Sequence, residues 1–184
     1  MRTTIRRAVA AIAAALALGT GSAVMAASSA SAAPAADTGL LPVCTAGDLS
    51  VWVNYGAGQG AAGTFYYPLE FTNTSNHTCR TWGWPGVSAT NANGHQLGDA
   101  ATRLHEFTPT WVNIASGGTA HALFAYGNAE VQTSGCKPTN ASLIKVYAPN
   151  QRSADDGFFS FPVCTVGGSH VYLRVANIQP GTNI

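Results

Sequence analysis

The run TFYYPLEFTNTSNHTCRTWGWPGVS, residues 64–88, constrains the fold more than any other part of the chain. Phe65, Tyr67, Leu69 and Phe71 fall on one side of an extended chain, and Tyr66, Pro68, Glu70 and Thr72 on the other. A period of two over eight residues specifies a half-buried strand, because a helix would bring Phe65 and Leu69 together and send Tyr67 to the opposite side. The aromatic face is the one expected to be buried, and the parity turns Glu70 towards solvent. Pro68 has no N–H to donate, so an edge position or a bulge is expected there. Four turn-forming residues follow, Asn73 to Asn76, and Cys79 then offers a covalent tie for the returning strand.

The rest of the sequence repeats this texture. Leu49 to Tyr55 alternates, with Leu49, Val51, Val53 and Tyr55 opposite Trp52. A glycine-rich connection, Gly56 to Gly63, expected to be a flexible loop, leads into the central strand. Val87 to Thr90 and His95 to Leu97 flank Asn93-Gly94, a strong hairpin pair. Thr110 to Ile114, Thr119 to Tyr126, Leu143 to Ala148, Phe158 to Val163 and Val171 to Ile178 read as further strands, with a long polar loop carrying Cys136. About eight short strands without intervening helices predict an all-β fold, an antiparallel β-sandwich of the immunoglobulin-like kind.

Ahead of this region, Arg2, Arg6 and Arg7 precede the apolar run Ala8 to Leu18, and Ala30-Ser31-Ala32 fits a leader-peptidase site. Residues 1–32 are therefore expected to be a secretory signal peptide, 33–42 a small-residue stem, and 43–184 a single folded domain. The apolar run is short for a permanent membrane span. Three of the nine basic residues lie in the leader, whereas all eight acids lie beyond it, so the exported part carries a net charge of −2. Without a basic stripe it is not expected to bind nucleic acid. Four cysteines in an exported chain predict two disulfides. Of the three possible pairings, Cys44–Cys79 and Cys136–Cys164 are favoured, because each closes a loop of moderate length at its own end of the chain.

Few residues suggest chemistry. Gly58 to Gly63 matches G-x-G-x-x-G, but a strand rather than a helix follows, and Glu70 is too close to serve as the ribose-binding acid. His77, His95, His105, His121 and His170 are scattered, and no H-x-x-x-H or C-x-x-C pair occurs. No metal or other cofactor is therefore expected. There is no G-x-S-x-G elbow for a serine hydrolase. Asp155-Asp156, followed by glycine, read as a solvated turn rather than as half of a glycosidase pair. Trp82 and Trp84 share one side if their segment is extended, with Tyr66 as a possible neighbour. Such aromatics either fill the core or form a platform for a sugar ring or a protein partner.

The runs YYPLEFTNTSNHTC, GWPGVSA, NGHQLG, ASGGTAHA, GCKPTNASLIKVYAP and FPVC, and the close at Pro180-Gly181, occur in this order over Cys44 to Pro180. In that order and spacing they resemble the actinobacterial secreted family catalogued as domain of unknown function 4232. The resemblance implies a secreted or surface β-sandwich and transfers no catalytic residues. It also implies that the Asn73, Asn76 and Asn140 triplets are turn residues rather than glycan acceptors. The expected role is a non-enzymatic, monomeric binding module for an extracellular protein or glycan, with no membrane contact after leader cleavage. A hydrolase or hydrolase inhibitor acting through loops, and a purely structural envelope module, are the rival classes.

Overall fold

The computed structural model describes residues 39–128, 136–165 and 173–182. The leader, most of the stem and His170 lie outside the described residues. The described strands are β1 (Leu49–Val53), β2 (Gln59–Ala61), β3 (Thr64–Asn73), β4 (Cys79–Thr81), β5 (Gly86–Thr90) and β6 (Thr102–Arg103). After them come β7 (Val112–Ile114), β8 (Thr119–Gly127), β9 (Pro138–Tyr147), β10 (Ala154–Cys164), β11 (Leu173–Val175) and β12 (Gln179–Pro180). A seven-stranded sheet runs β1-β3-β8-β11-β6, with β2 also on β3 and β12 also on β8. A three-stranded sheet runs β10-β9-β5, and β4 pairs with β7. Among the described strands every pairing is antiparallel except β11 with β6, and an isolated parallel bridge joins Val43 to Arg80. The described residues are all-β, as the sequence predicts.

The alternation of β3 places its residues as expected on the core side. Leu69 and Phe71 are fully buried, and Phe65 and Tyr67 are half-buried against the core. Rings from the large sheet meet rings from β10. Phe124 and Phe161 lie with centroids 5.8 Å apart, Tyr126 and Phe161 at 4.7 Å, and Tyr67 and Phe159 at 5.1 Å, the last edge-on. Such pairs add to the area term because ring edges are attracted to ring faces. Burial, with Tyr67 alongside, pushes the Tyr126 hydroxyl pKa up to about 12. Asp155 Oδ2 accepts the Val51 N–H at 2.9 Å and joins the edges of the two sheets where β1 meets β10.

Both favoured disulfides are present, Cys44–Cys79 and Cys136–Cys164. They point to an oxidising compartment. No helix among the described residues is long and apolar enough to cross a membrane.

Four expectations need correcting. First, Pro68 is on an interior strand, between β1 and β8. Its carbonyl accepts the Asn54 N–H at 2.9 Å, just where β1 ends and the chain enters a 3-10 turn at Tyr55–Ala57. In an antiparallel ladder a residue's N–H and C=O face the same neighbour. The missing donor therefore faces the break between β1 and β2, where the ladder has no bond to lose. Second, the glycine-rich connection is ordered. It holds that turn, then β2, which joins β3 through Ala62 (φ 47°) and Gly63 (φ 79°), the two left-handed positions of a tight hairpin. A Cβ on Gly58 would stand 2.2 Å from the Tyr67 ring, so only glycine fits there. Third, Asp155 and Asp156 lie in β10, not in a turn. The segment before Leu143 is likewise strand from Pro138, because the Cys136–Cys164 bond holds the open end of the β9–β10 ladder in register.

The fourth correction concerns Glu70, which is only 2% exposed. It does lie on the face opposite Leu69, but there Trp52 and His121 are its direct partners on β1 and β8. Asn54 Nδ2 donates to Glu70 Oε1 at 2.6 Å. Parity assigns a face, and the neighbours on other strands decide whether that face is wet. Glu70→Ala should therefore destabilise by about 1–3 kcal/mol, since it strands the Asn54 donor and opens a gap. Glu70→Gln, which keeps an acceptor at the same place, should cost less. Thermal melts of the two variants check the order, and an unperturbed Ala variant would contradict it.

Candidate binding groove

Between β4 and β5 the chain runs Trp82-Gly83-Trp84-Pro85. Gly83 adopts φ 100°, a left-handed value that glycine tolerates, and its carbonyl accepts the Ile178 N–H at 2.9 Å. The kink leaves both indoles at one open groove of about 360 Å³, whose other walls are Arg103, Tyr147, Asn150 and Gln151. Tyr147 arrives because it pairs with Gly86 across β5 and β9. Asn150 arrives through a tight turn with Pro149 at its second position and Asn150 at φ 62° in its third, closed by Gln151 N–H to Ala148 O at 3.0 Å.

The walls are fixed by side-chain hydrogen bonds to backbone. Asn150 Nδ2 donates to Trp82 O at 3.0 Å, and Gln151 Nε2 donates to Cys44 O at 2.9 Å, at the Cys44–Cys79 disulfide. Trp84 Nε1 donates to Leu104 O at 2.7 Å, which orients that indole. The Arg103 guanidinium stands 5.6 Å from the Trp84 ring centroid, and His105 packs on the same indole with centroids 4.8 Å apart. Beyond Trp82 lies a second pair of the same kind. Arg80 sits 4.2 Å over Trp111, whose ring is 6.4 Å from that of Trp82.

Trp82 and Trp84 both line the groove, across the Gly83 kink rather than along an extended segment, with Trp82 40% exposed and Trp84 half-buried. Tyr66 is not with them. It lies on β3, opposite Gln59 and Ala125, and does not line the groove. Tyr147, Arg103, Asn150, Gln151 and the Arg80–Trp111 pair were not legible as site residues. Only Pro149-Asn150 carried a local turn signal.

The lining holds aromatic planes, a guanidinium and two amides, and no carboxylate or imidazole. Among the described residues no group of three or more His, Cys, Asp or Glu could hold a metal ion. Asn73 is fully buried. Its Nδ2 donates to His77 O and Ile114 O, and its Oδ1 accepts from Ser75, so it acts as a turn residue and offers no glycan attachment.

No curated protein and no solved structure matches the chain. From the first cysteine to the start of β12, residues 44–179, it matches the model of the family described as Domain of unknown function (DUF4232), and it belongs to that family.

Proposed function

We propose that this is an exported, monomeric, non-catalytic binding module whose ligand is a glycan seated in the groove between Trp82, Trp84 and Tyr147. The observation that carries the reading is Trp82. It is 40% exposed, and its carbonyl is held by Asn150 at the mouth of a polar-rimmed depression. A singly exposed indole carries no such meaning, but Trp82 adjoins Trp111, itself 49% exposed, and lines the groove with Trp84 and Tyr147. Exposed aromatics gathered in this way mark a contact surface. Tyr147, 36% exposed, supplies a second aromatic plane. The groove is of small-ligand size. A stable protein partner would need roughly 800 Å² of complementary surface on each side. Aromatic faces suit the apolar faces of a sugar ring, and the amides suit its hydroxyls.

Catalysis is disfavoured by the lining, which offers no pair of carboxylates to serve as acid and base. The test is a glycan array, followed by calorimetry on the best ligand with wild type, Trp82→Ala and Tyr147→Ala. Each variant should lose about tenfold or more in affinity, the usual cost of truncating an aromatic hot spot. Their melting temperatures should stay close to wild type, because both side chains are partly exposed. Binding that survives both truncations, or capture of a protein partner in place of any glycan, would overturn the proposal.

A further inference from the structure

We infer that the groove selects acidic sugars, rings that carry their own carboxylate as uronic acids do, and that Arg103 reads that carboxylate. The inference rests on the glycan-binding reading above. Its basis is the charge of the groove lining. The exported part of the chain is net negative, yet the groove lining contains an arginine and no carboxylate. Neither Arg103 nor Arg80 forms an ion pair with a carboxylate of the described residues, and the contact that positions each guanidinium is a tryptophan face.

That geometry leaves Arg103 available. A cation–π contact uses the charge of the guanidinium and consumes none of its five N–H donors. They match the two oxygens of a carboxylate in a bidentate fork. Trp84 is itself fixed through Leu104 O, so the exposed guanidinium lies over an ordered ring. Asn150 and Gln151 each spend their Nδ2 or Nε2 group on a backbone carbonyl, which leaves their amide oxygens to accept from sugar hydroxyls.

A ring that carries its own charge is favoured over a chain charged between its rings, because the stacking planes and Arg103 border one small space. The Arg80–Trp111 pair, next to Trp82, offers a second basic position to the following sugar of a chain.

The probe is a short oligomer of galacturonic acid, titrated by calorimetry into the purified protein beside its fully methyl-esterified form. Esterification keeps the ring and hydroxyls and replaces the charged carboxylate with a neutral methyl ester. The acid form should bind about tenfold or more tighter than the ester, the typical yield of a charge-assisted hydrogen bond. Arg103→Gln should shrink that difference to about twofold or less, the loss falling mainly on the acid form, with the melting temperature close to wild type because Arg103 is exposed.

Equal binding of acid and ester by wild type, or an Arg103→Gln loss of the same size for both, would overturn the inference and leave the glycan-binding reading intact. Arg103-dependent binding of a glycerol-phosphate polymer in preference to the uronate would likewise overturn the choice of carboxylate. A glycan array with no Trp82-dependent ligand, neutral or acidic, is the separate result that removes the reading beneath it.

Discussion

Reducing both disulfides should lower the stability of the folded protein by about 7 kcal/mol, the largest single effect we expect. The bonded cysteines are 35 and 28 residues apart. On the chain-entropy estimate, each closure of that size removes freedom from the unfolded chain worth about 3.5–4 kcal/mol. A domain of this size has about 5–15 kcal/mol in total, so the reduced protein keeps about half of its stability at the upper end of that range and unfolds at the lower end. Urea titration with and without reductant measures the loss. The double variants Cys44→Ala with Cys79→Ala, and Cys136→Ala with Cys164→Ala, should divide it about equally. An unchanged midpoint on full reduction would mean that the packed core alone determines the stability.

Phe71→Ala should cost about 3–5 kcal/mol, because a fully buried ring leaves a cavity that its surroundings fill only in part. Phe71 lies between Val51 and Ala120 in the ladder, and an alanine and a valine cannot expand into the space. Phe158→Ala provides the internal control. That ring is 85% exposed, so its loss should move stability by no more than about 0.5 kcal/mol. The two variants differ only in where the phenylalanine stands. Similar melting temperatures for both, or the reverse order, would refute the placement of the core.

These two results test the part of the fold that was legible in the sequence. The alternation around Leu69 and Phe71 is a local signal, and a strand's own residues suffice to read it. The cysteine pairing followed from count and loop length. Glu70 was misread for the complementary reason: what covers it, Trp52, His121 and Asn54, comes from other segments. Pro68 was misread because the break between β1 and β2 cannot be seen from β3 alone. The groove divides in the same way. Trp82 and Trp84 are two residues apart and could be noticed together. Tyr147 and Arg103 reach them only through long-range strand pairing, and pairing leaves no mark on a single sequence. Tyr66 lies apart from the tryptophans because its place is set by the pairing of β3 with β2 and β8.

The two cysteine bonds also have a mechanical meaning, set by what they leave unjoined. One ties the segment before β1 to β4, and the other ties the start of β9 to the end of β10. No strand of the seven-stranded sheet contains a cysteine. A shearing load that slides this sheet over its three-stranded partner therefore meets no covalent cross-link. It is resisted by interlocked rings and, at the β1–β10 seam, by the hydrogen bond from Val51 N–H to Asp155. The groove straddles that divide, with Arg103 on β6 of the seven-stranded sheet and Tyr147 on β9 of the other, so a ligand that touches both adds a tie across a joint that no disulfide spans.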